Sequence, residues 1–330
     1  MRGASASRLC TAAVLATAIS GCGSGAPAAP LNATASSSQG GERLHAPHAW
    51  VQGPTSGDLL YAEGYSQTQG SGVTFILSYP QGHLVGSIDV AAGGLCSDAA
   101  GNVYLLYRNS AIEYAHGGTE PIRTVRIPGA ATQFCAVDPT TGNLALSFSC
   151  PPCYQNLAIF PPGSGQPVRY QAPLGYSVTY DNQGNLFLGG SEGGEIAELP
   201  SGANTFTTIS LNEGITDPGT IQWDGTHVTL QSLRPPVTIS RISISGSTGT
   251  IVSQTKFGPF MRNAGYSWLA GDGTVTFPFA THGFETNQLG IWKYPKGTHP
   301  MHAIKKIGTG DSGFGAVTVS VGPSGSLPRR

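Results

Sequence analysis

Charge is scarce in this chain of 330 residues, of which 11% are Asp, Glu, Lys or Arg. The 17 basic residues are matched by 18 acidic ones. No basic stripe is available to hold phosphates, so nucleic acid is not an expected partner. Helical periodicity is missing too, and no convincing amphipathic helix can be drawn anywhere in the chain. The one apolar run near the start, Leu9 to Ile19, is too short to span a bilayer. There is no GxSxG segment and no EF-hand-like calcium loop. Haem attachment at Cys150-Pro-Pro-Cys153 would need a His next, and Tyr154 stands there. Gly310-Asp311-Ser312-Gly313 lacks the rest of a serine-protease pattern. The overlapping GxGxxG match from Gly308 to Gly313 is followed by a strand where a nucleotide site needs a helix.

What is abundant is turn chemistry, with 47 Gly and 24 Pro. Asp181-Asn-Gln-Gly184-Asn185-Leu-Phe-Leu is the pattern of one turn, and variants follow Asp98, Asp138, Asp224 and Asp272. Weaker relatives stand at Ser56-Gly57-Asp58 and Pro323-Ser324-Gly325. The glycines at 57, 101, 142, 184, 225, 273 and 325 are 44, 41, 42, 41, 48 and 52 residues apart. Gly supplies the positive φ that a tight hairpin requires, so each copy is expected to join two antiparallel strands. A third strand follows, then in several units an aromatic or aliphatic residue with Pro and Gly, as at Tyr79-Pro80, Phe160-Pro161, Leu199-Pro200 and Tyr294-Pro295. Fourth strands are expected over 84–90, 168–172, 205–211 and 301–307. Four antiparallel strands in each unit of this length mark a β-propeller blade.

The expected fold is therefore all-β: a six-bladed β-propeller of four-stranded antiparallel blades over residues 51–323, with 324–330 as a tail. The first unit opens at its second strand, Leu59-Leu60-Tyr61, and the spare strand Phe314–Val321 is expected to complete that blade and close the ring. The units resemble NHL-type repeats, a group related in shape to gluconolactonase-like and TolB-like propellers. The resemblance covers about 56–322 and implies a fold, not a function.

Residues 1–22 read as a bacterial secretion signal with Arg2 and Arg8 at its positive end. Ile19-Ser20-Gly21-Cys22 resembles a lipobox, which implies that Cys22 is lipidated and becomes the first mature residue. Gly23 after it leans by the same resemblance towards the outer membrane. Residues 23–50 are small, polar and Pro-rich, as expected of a disordered tether. The membrane is thus a partner through the lipid anchor alone.

An exported chain with an even cysteine count favours disulfides. Cys96 and Cys135 hold similar places on inner strands of consecutive blades, so the expected pairs are 96–135 and 150–153. The alternative for Cys150-Pro-Pro-Cys153, a redox dithiol, lacks the helix N-terminus or cation that lowers a thiol pKa. His45 and His48, and His299 and His302, share a spacing that would suit a metal on a helix, but Pro interrupts both and no Cys or carboxylate set accompanies them.

No catalytic constellation can be assembled. The gluconolactonase-like resemblance implies a divalent cation, such as calcium, held by Glu, Asn and Asp, for which Glu63, Asp217 and Asn263 are the only weak candidates; otherwise no cofactor is expected. Function in such folds sits on loops between second and third strands and between blades. Arg108, Tyr154, Glu192, Arg234, His282 and Glu285 are the candidate rim residues. The expected role is a monomeric, lipid-anchored binding or interaction module without catalysis, for a protein, peptide or glycan ligand. The alternatives are a metal-dependent hydrolase of lactones or sugars and a structural envelope protein.

Overall fold

A computed structural model describes residues 49–53, 55–66, 71–151, 156–190, 193–283, 285–304, 307 and 313–323. No helix occurs among them. β1 (Trp50–Val51), β2 (Leu59–Ser66), β3 (Ser71–Ser78) and β4 (Leu84–Ile88) begin the first sheet. β5 (Gly94–Ser97), β6 (Val103–Tyr107), β7 (Ser110–Tyr114) and β8 (Pro121–Arg126) form the second. The third holds β9 (Ala131–Val137), β10 (Leu144–Ser149), β11 (Leu157–Phe160) and β12 (Val168–Tyr170).

An antiparallel run of β13 (Ser177–Tyr180), β14 (Leu186–Gly189), β15 (Glu195–Leu199) and β16 (Thr207–Leu211) comes next. A similar run follows: β17 (Pro218–Trp223), β18 (Val228–Ser232), β19 (Thr238–Ser245) and β20 (Thr248–Lys256). The two runs join at their outer strands, where β16 and β20 pair in parallel through Ser210↔Thr248 and Leu211↔Gly249. β21 (Asn263–Ala264), β22 (Trp268–Ala270), β23 (Thr274–Ala280), β24 (Gln288–Lys293) and β25 (His302–Ile304) make the last sheet. β26 (Val317–Ser320) returns to the first sheet and pairs antiparallel with β2, from Leu59↔Ser320 to Ala62↔Val317.

Burial explains why the middle strands read as nearly unbroken apolar runs. β6, β7, β10 and β23 are buried along almost their whole length, because the sheets are stacked and a middle strand is covered on both faces. The outer strands β8 and β12 are largely exposed and carry Arg123, Arg126 and Arg169. β1 extends the outer edge of the first sheet by pairing with β4, so Trp50 belongs to a strand and not to the tether in which the sequence reading placed it.

The recurrent turn has a local cause. Gly101, Gly142, Gly184, Gly225 and Gly273 all have positive φ, between 74° and 97°. The Asp that opens each turn accepts hydrogen bonds from it: Asp181 Oδ1 takes the backbone N–H groups of Gln183 and Asn185 at 2.8 and 2.9 Å, and its Oδ2 takes the Asn185 amide at 2.8 Å. Asp98 repeats the arrangement with Ala100 and Asn102. Each carboxylate thus satisfies amide groups that a tight turn leaves without strand partners. In the first sheet the turn is split between the two ends of the described chain. Gly57 lacks the positive φ, and Asp58 Oδ1 instead accepts the N–H of Gly322, 3.1 Å away, just beyond β26. Gly325 lies outside the described residues.

His116, following β7, ties the same seam together. Its Nδ1 lies 2.5 Å from Ser320 Oγ, and its Nε2 lies 2.7 and 2.9 Å from the carbonyls of Thr55 and Gly57. The Gly117 N–H donates to the Tyr61 hydroxyl at 2.9 Å.

Candidate functional site

Six short strands face the middle of the molecule, each packed beside the next: β26 by β5, β5 by β9, β9 by β13, β13 by β17, β17 by β22, and β22 by β26. They enclose a cavity of about 550 Å³. Its wall is built from Leu95, Ala136, Thr179, Gln222 and Trp268, and it opens among the Asp turns at Asp98, Asp138 and Asp181. The volume lies within the usual range for small-molecule sites.

Away from the Asp turns, aromatic rings cluster behind the wall residue Phe134. Phe134 on β9 packs against Tyr176 and Tyr266 with ring centroids 4.9 and 4.8 Å apart, and the two tyrosine hydroxyls share a 2.7 Å hydrogen bond. β9 and β22 are not neighbours in the order above, so the Phe134–Tyr266 contact spans the enclosed space. Burial, and then the bond to Tyr176, raises the Tyr266 pKa, which keeps its phenol neutral. Trp268 is partly buried and packs against the apolar clusters of two opposite regions, one holding Leu60 and Val319 and the other holding Cys96 and Leu146.

A polar seam fixes β17 against the segment before β22. Gln222 Nε2 donates to the Ser267 carbonyl at 2.5 Å and its Oε1 accepts the Leu269 N–H at 2.6 Å. Gln231 is buried; its Oε1 accepts the Ser267 N–H and its Nε2 donates to the Gly265 carbonyl, both at 3.0 Å. Between β5 and β9 the link is covalent: Cys96 and Cys135 form a disulfide with Cα atoms 5.7 Å apart. Cys150 is disulfide-bonded as well, while Cys153 lies outside the described residues.

The rim residues expected from sequence that are described have these local surroundings. Arg108 adopts φ 54° in the turn after β6, with its guanidinium 5.0 Å from the Tyr107 ring centroid. Arg234 pairs with Asp217 at 2.9 Å, both side chains about half exposed. His282 accepts or donates a 3.0 Å bond with Thr281, and Glu285 is exposed. Tyr154, Glu192 and Cys22 lie outside the described residues, as do His45 and His48; His299 stacks on Phe260 and His302 is in β25.

Of the three candidate cation ligands, Glu63 and Asn263 belong to different sheets and Asp217 immediately precedes β17. Asp217 is engaged by Arg234, and Asn263 pairs with Ala280 at a sheet edge. From the sequence a loop is expected over Glu63–Gly72, yet Glu63 sits within β2, whose pairing with β3 continues to Ser66↔Ser71. Burial pushes its carboxyl up to about 7 despite hydrogen bonds from the Gly315 and Ala316 backbone. Among the described residues no group of three or more His, Cys, Asp or Glu is placed to hold a metal ion.

Solved structures place this architecture. A Bacteroides caccae protein of unknown function aligns with TM-score 0.60 at 10% identity, over 80% of this chain and 99% of its own. A chain of a nidogen/laminin complex gives 0.61 at 12%, over 81% and 99%. The Cps50 (Swd1) β-propeller domain of Myceliophteria thermophila gives 0.53 at 12%, over 84% and 90%. The fold is a β-propeller. No family model and no curated protein sequence matches the chain. At these identities the likeness concerns the fold alone.

Sequence reasoning overlooked the aromatic cluster and the wall of the chamber. A signal was present: Phe134, Tyr176 and Tyr266 each stand four to six residues before the Asp of their turn, at Asp138, Asp181 and Asp272. An aromatic residue recurring at the start of an inner strand points at the space the inner strands enclose.

Proposed function

We propose that the chain is a six-bladed β-propeller, exported and lipid-anchored at Cys22, that works as a ligand-binding module through its axial chamber. Six blades are counted by dividing the eight-stranded sheet at its short parallel junction, and β26 closes the ring on β2. The observation that carries the binding role is the cavity of about 550 Å³, walled by the inner strands, with Phe134 backed by Tyr176 and Tyr266, and reaching the Asp turns. Disulfides suit an oxidising compartment outside the cytoplasm. Catalysis has less support: the carboxylate of Asp217 is paired with Arg234 and that of Glu63 accepts hydrogen bonds from the Gly315 and Ala316 backbone.

The test is a screen of small molecules and peptides by thermal unfolding, run in parallel on the wild type and on Ala136→Phe, which fills the chamber. A ligand present at a hundred times its Kd stabilises the folded state by about 2.7 kcal/mol. Stabilisation confined to the wild type supports the reading. Hits that stabilise both proteins equally, or none at all, refute it. Elemental analysis of the same preparation decides the hydrolase alternative, since one equivalent of calcium or zinc per chain would require that reading to be restored.

A further inference from the structure

The chamber's chemistry narrows the class of molecule it takes. Among the described residues no Lys, Arg, His or Glu lines it, and the charged groups that do are the three Asp carboxylates at the mouth. Those carboxylates are already occupied with their own turns: Asp138 accepts the N–H of Thr140 at 2.8 Å and the hydroxyls of Thr140 and Thr141 at 2.7 and 2.5 Å. An anion entering here would lose its water, pass three negative groups and find no cation to replace the hydration. The deeper wall is uncharged. Its polar atoms are also engaged, as the Gln222 and Thr220 bonds to Ser267 show, so few groups remain to hold a heavily hydroxylated guest.

Shape adds a second restriction. In the order of inner strands, β22 and β9 lie three places apart, on opposite sides of the axis. β22 contributes Trp268, which packs against the cluster holding Cys96 and Cys135, and β9 contributes Ala136 and Phe134, so both strands give the space apolar walls. The strands between them, β13 and β17, contribute Thr179 and Gln222. The section is thus a slot with apolar faces and a polar edge. Flat rings stack against aromatic side chains and gain beyond the area they bury.

Resting on the ligand-binding reading above, we propose that the chamber takes an uncharged, flat, largely apolar small molecule that stacks on Trp268 and enters through the face of Asp turns. A polar substituent on that molecule meets Thr179.

Calorimetry on the full chain with a charge series tests this: 2-naphthol as the neutral probe, 2-naphthoate as the anion, 2-naphthylmethylammonium as the cation, and glucose as a neutral, non-aromatic probe. The expected result is that 2-naphthol binds at least roughly tenfold more tightly than each of the other three, and that Ala136→Phe abolishes its binding. Trp268→Ala removes the stacking surface and is expected to weaken 2-naphthol while leaving glucose unaffected. If Trp268→Ala does not fold, Thr179→Phe, which narrows the slot from its polar side, replaces it. Equal or tighter binding of the anion, the cation or glucose overturns the ligand class but leaves the binding module intact, provided Ala136→Phe abolishes that binding too. Tight 2-naphthol binding that survives Ala136→Phe places the site elsewhere and overturns the proposal. If no probe binds while the screen finds a ligand dependent on the chamber, the class is again wrong and the reading stands; if the screen also finds none, both fall.

Discussion

Replacing Glu63 with Gln should stabilise the protein at neutral pH and hardly change it in mild acid. In the folded protein burial holds the Glu63 proton up to about 7, whereas the unfolded chain releases it near the ordinary 4.5. Between those values the folded state binds more protons than the unfolded one, so stability falls as pH rises, and the loss is complete above 7. At about 1.4 kcal/mol per pH unit the full displacement corresponds to roughly 3 kcal/mol. Glu63 keeps some exposure, and solvent screening reduces the expected gain to about 2 kcal/mol. Glutamine retains a carbonyl oxygen to accept the backbone bonds from Gly315 and Ala316 while being unable to ionise. For a domain of this size that gain raises Tm by roughly 5 °C at pH 8. Thermal unfolding of both proteins from pH 4 to 8 reads it directly, and the difference should open between 4.5 and 7. A difference that stays constant over that range would show that Glu63 titrates normally, and the assignment of its burial as the cause would be wrong.

Two further outcomes follow from the seams between sheets. The Cys96–Cys135 bridge spans a sequence separation of 39; in the chain-entropy model its loss costs about 4 kcal/mol, so Cys96→Ser with Cys135→Ser should lower the denaturant midpoint and, by freeing the unfolded chain, raise the slope. An unchanged midpoint would mean that the stacked sheets alone hold β5 against β9. His116→Ala removes contacts to Ser320, Thr55 and Gly57 and should cost about 2–3 kcal/mol, with hydrogen exchange accelerating selectively in β26 and the start of β2. Uniform acceleration across all sheets would refute its assignment as a local clasp.

The sequence was most legible where a residue's role is local. An Asp that bonds its own turn and a Gly with positive φ need nothing beyond a few neighbours, and for that reason the hairpins at 101, 142, 184, 225 and 273 could be placed. The Cys96–Cys135 pair was readable because the repeat put both at equivalent positions on neighbouring inner strands. Roles decided by stacking were not legible. Whether an inner-strand side chain points between sheets, as Cys96 does, or into the enclosed space, as Thr179 does, depends on how neighbouring sheets lean together. Glu63 looked like a loop residue because Gly64 and a polar run follow it, yet pairing with β3 carries the strand through it to Ser66. Attention to the varied loops drew the candidate site to one face, while the chamber opens on the other, where the turns are uniform because each Asp serves its own backbone.

The first sheet depends on a strand that the ribosome makes long after the others of that sheet. β2 emerges some 250 residues before β26, and until then its inner edge has no partner while Asp58 waits for Gly322. A chain delivered N-terminus first would therefore travel with one unsatisfied strand edge until β26 follows, open to pairing with another copy. Completion of that sheet comes when β26 docks. A nascent chain cut short before Val317 would leave every other sheet's strands present and the first one permanently unfinished.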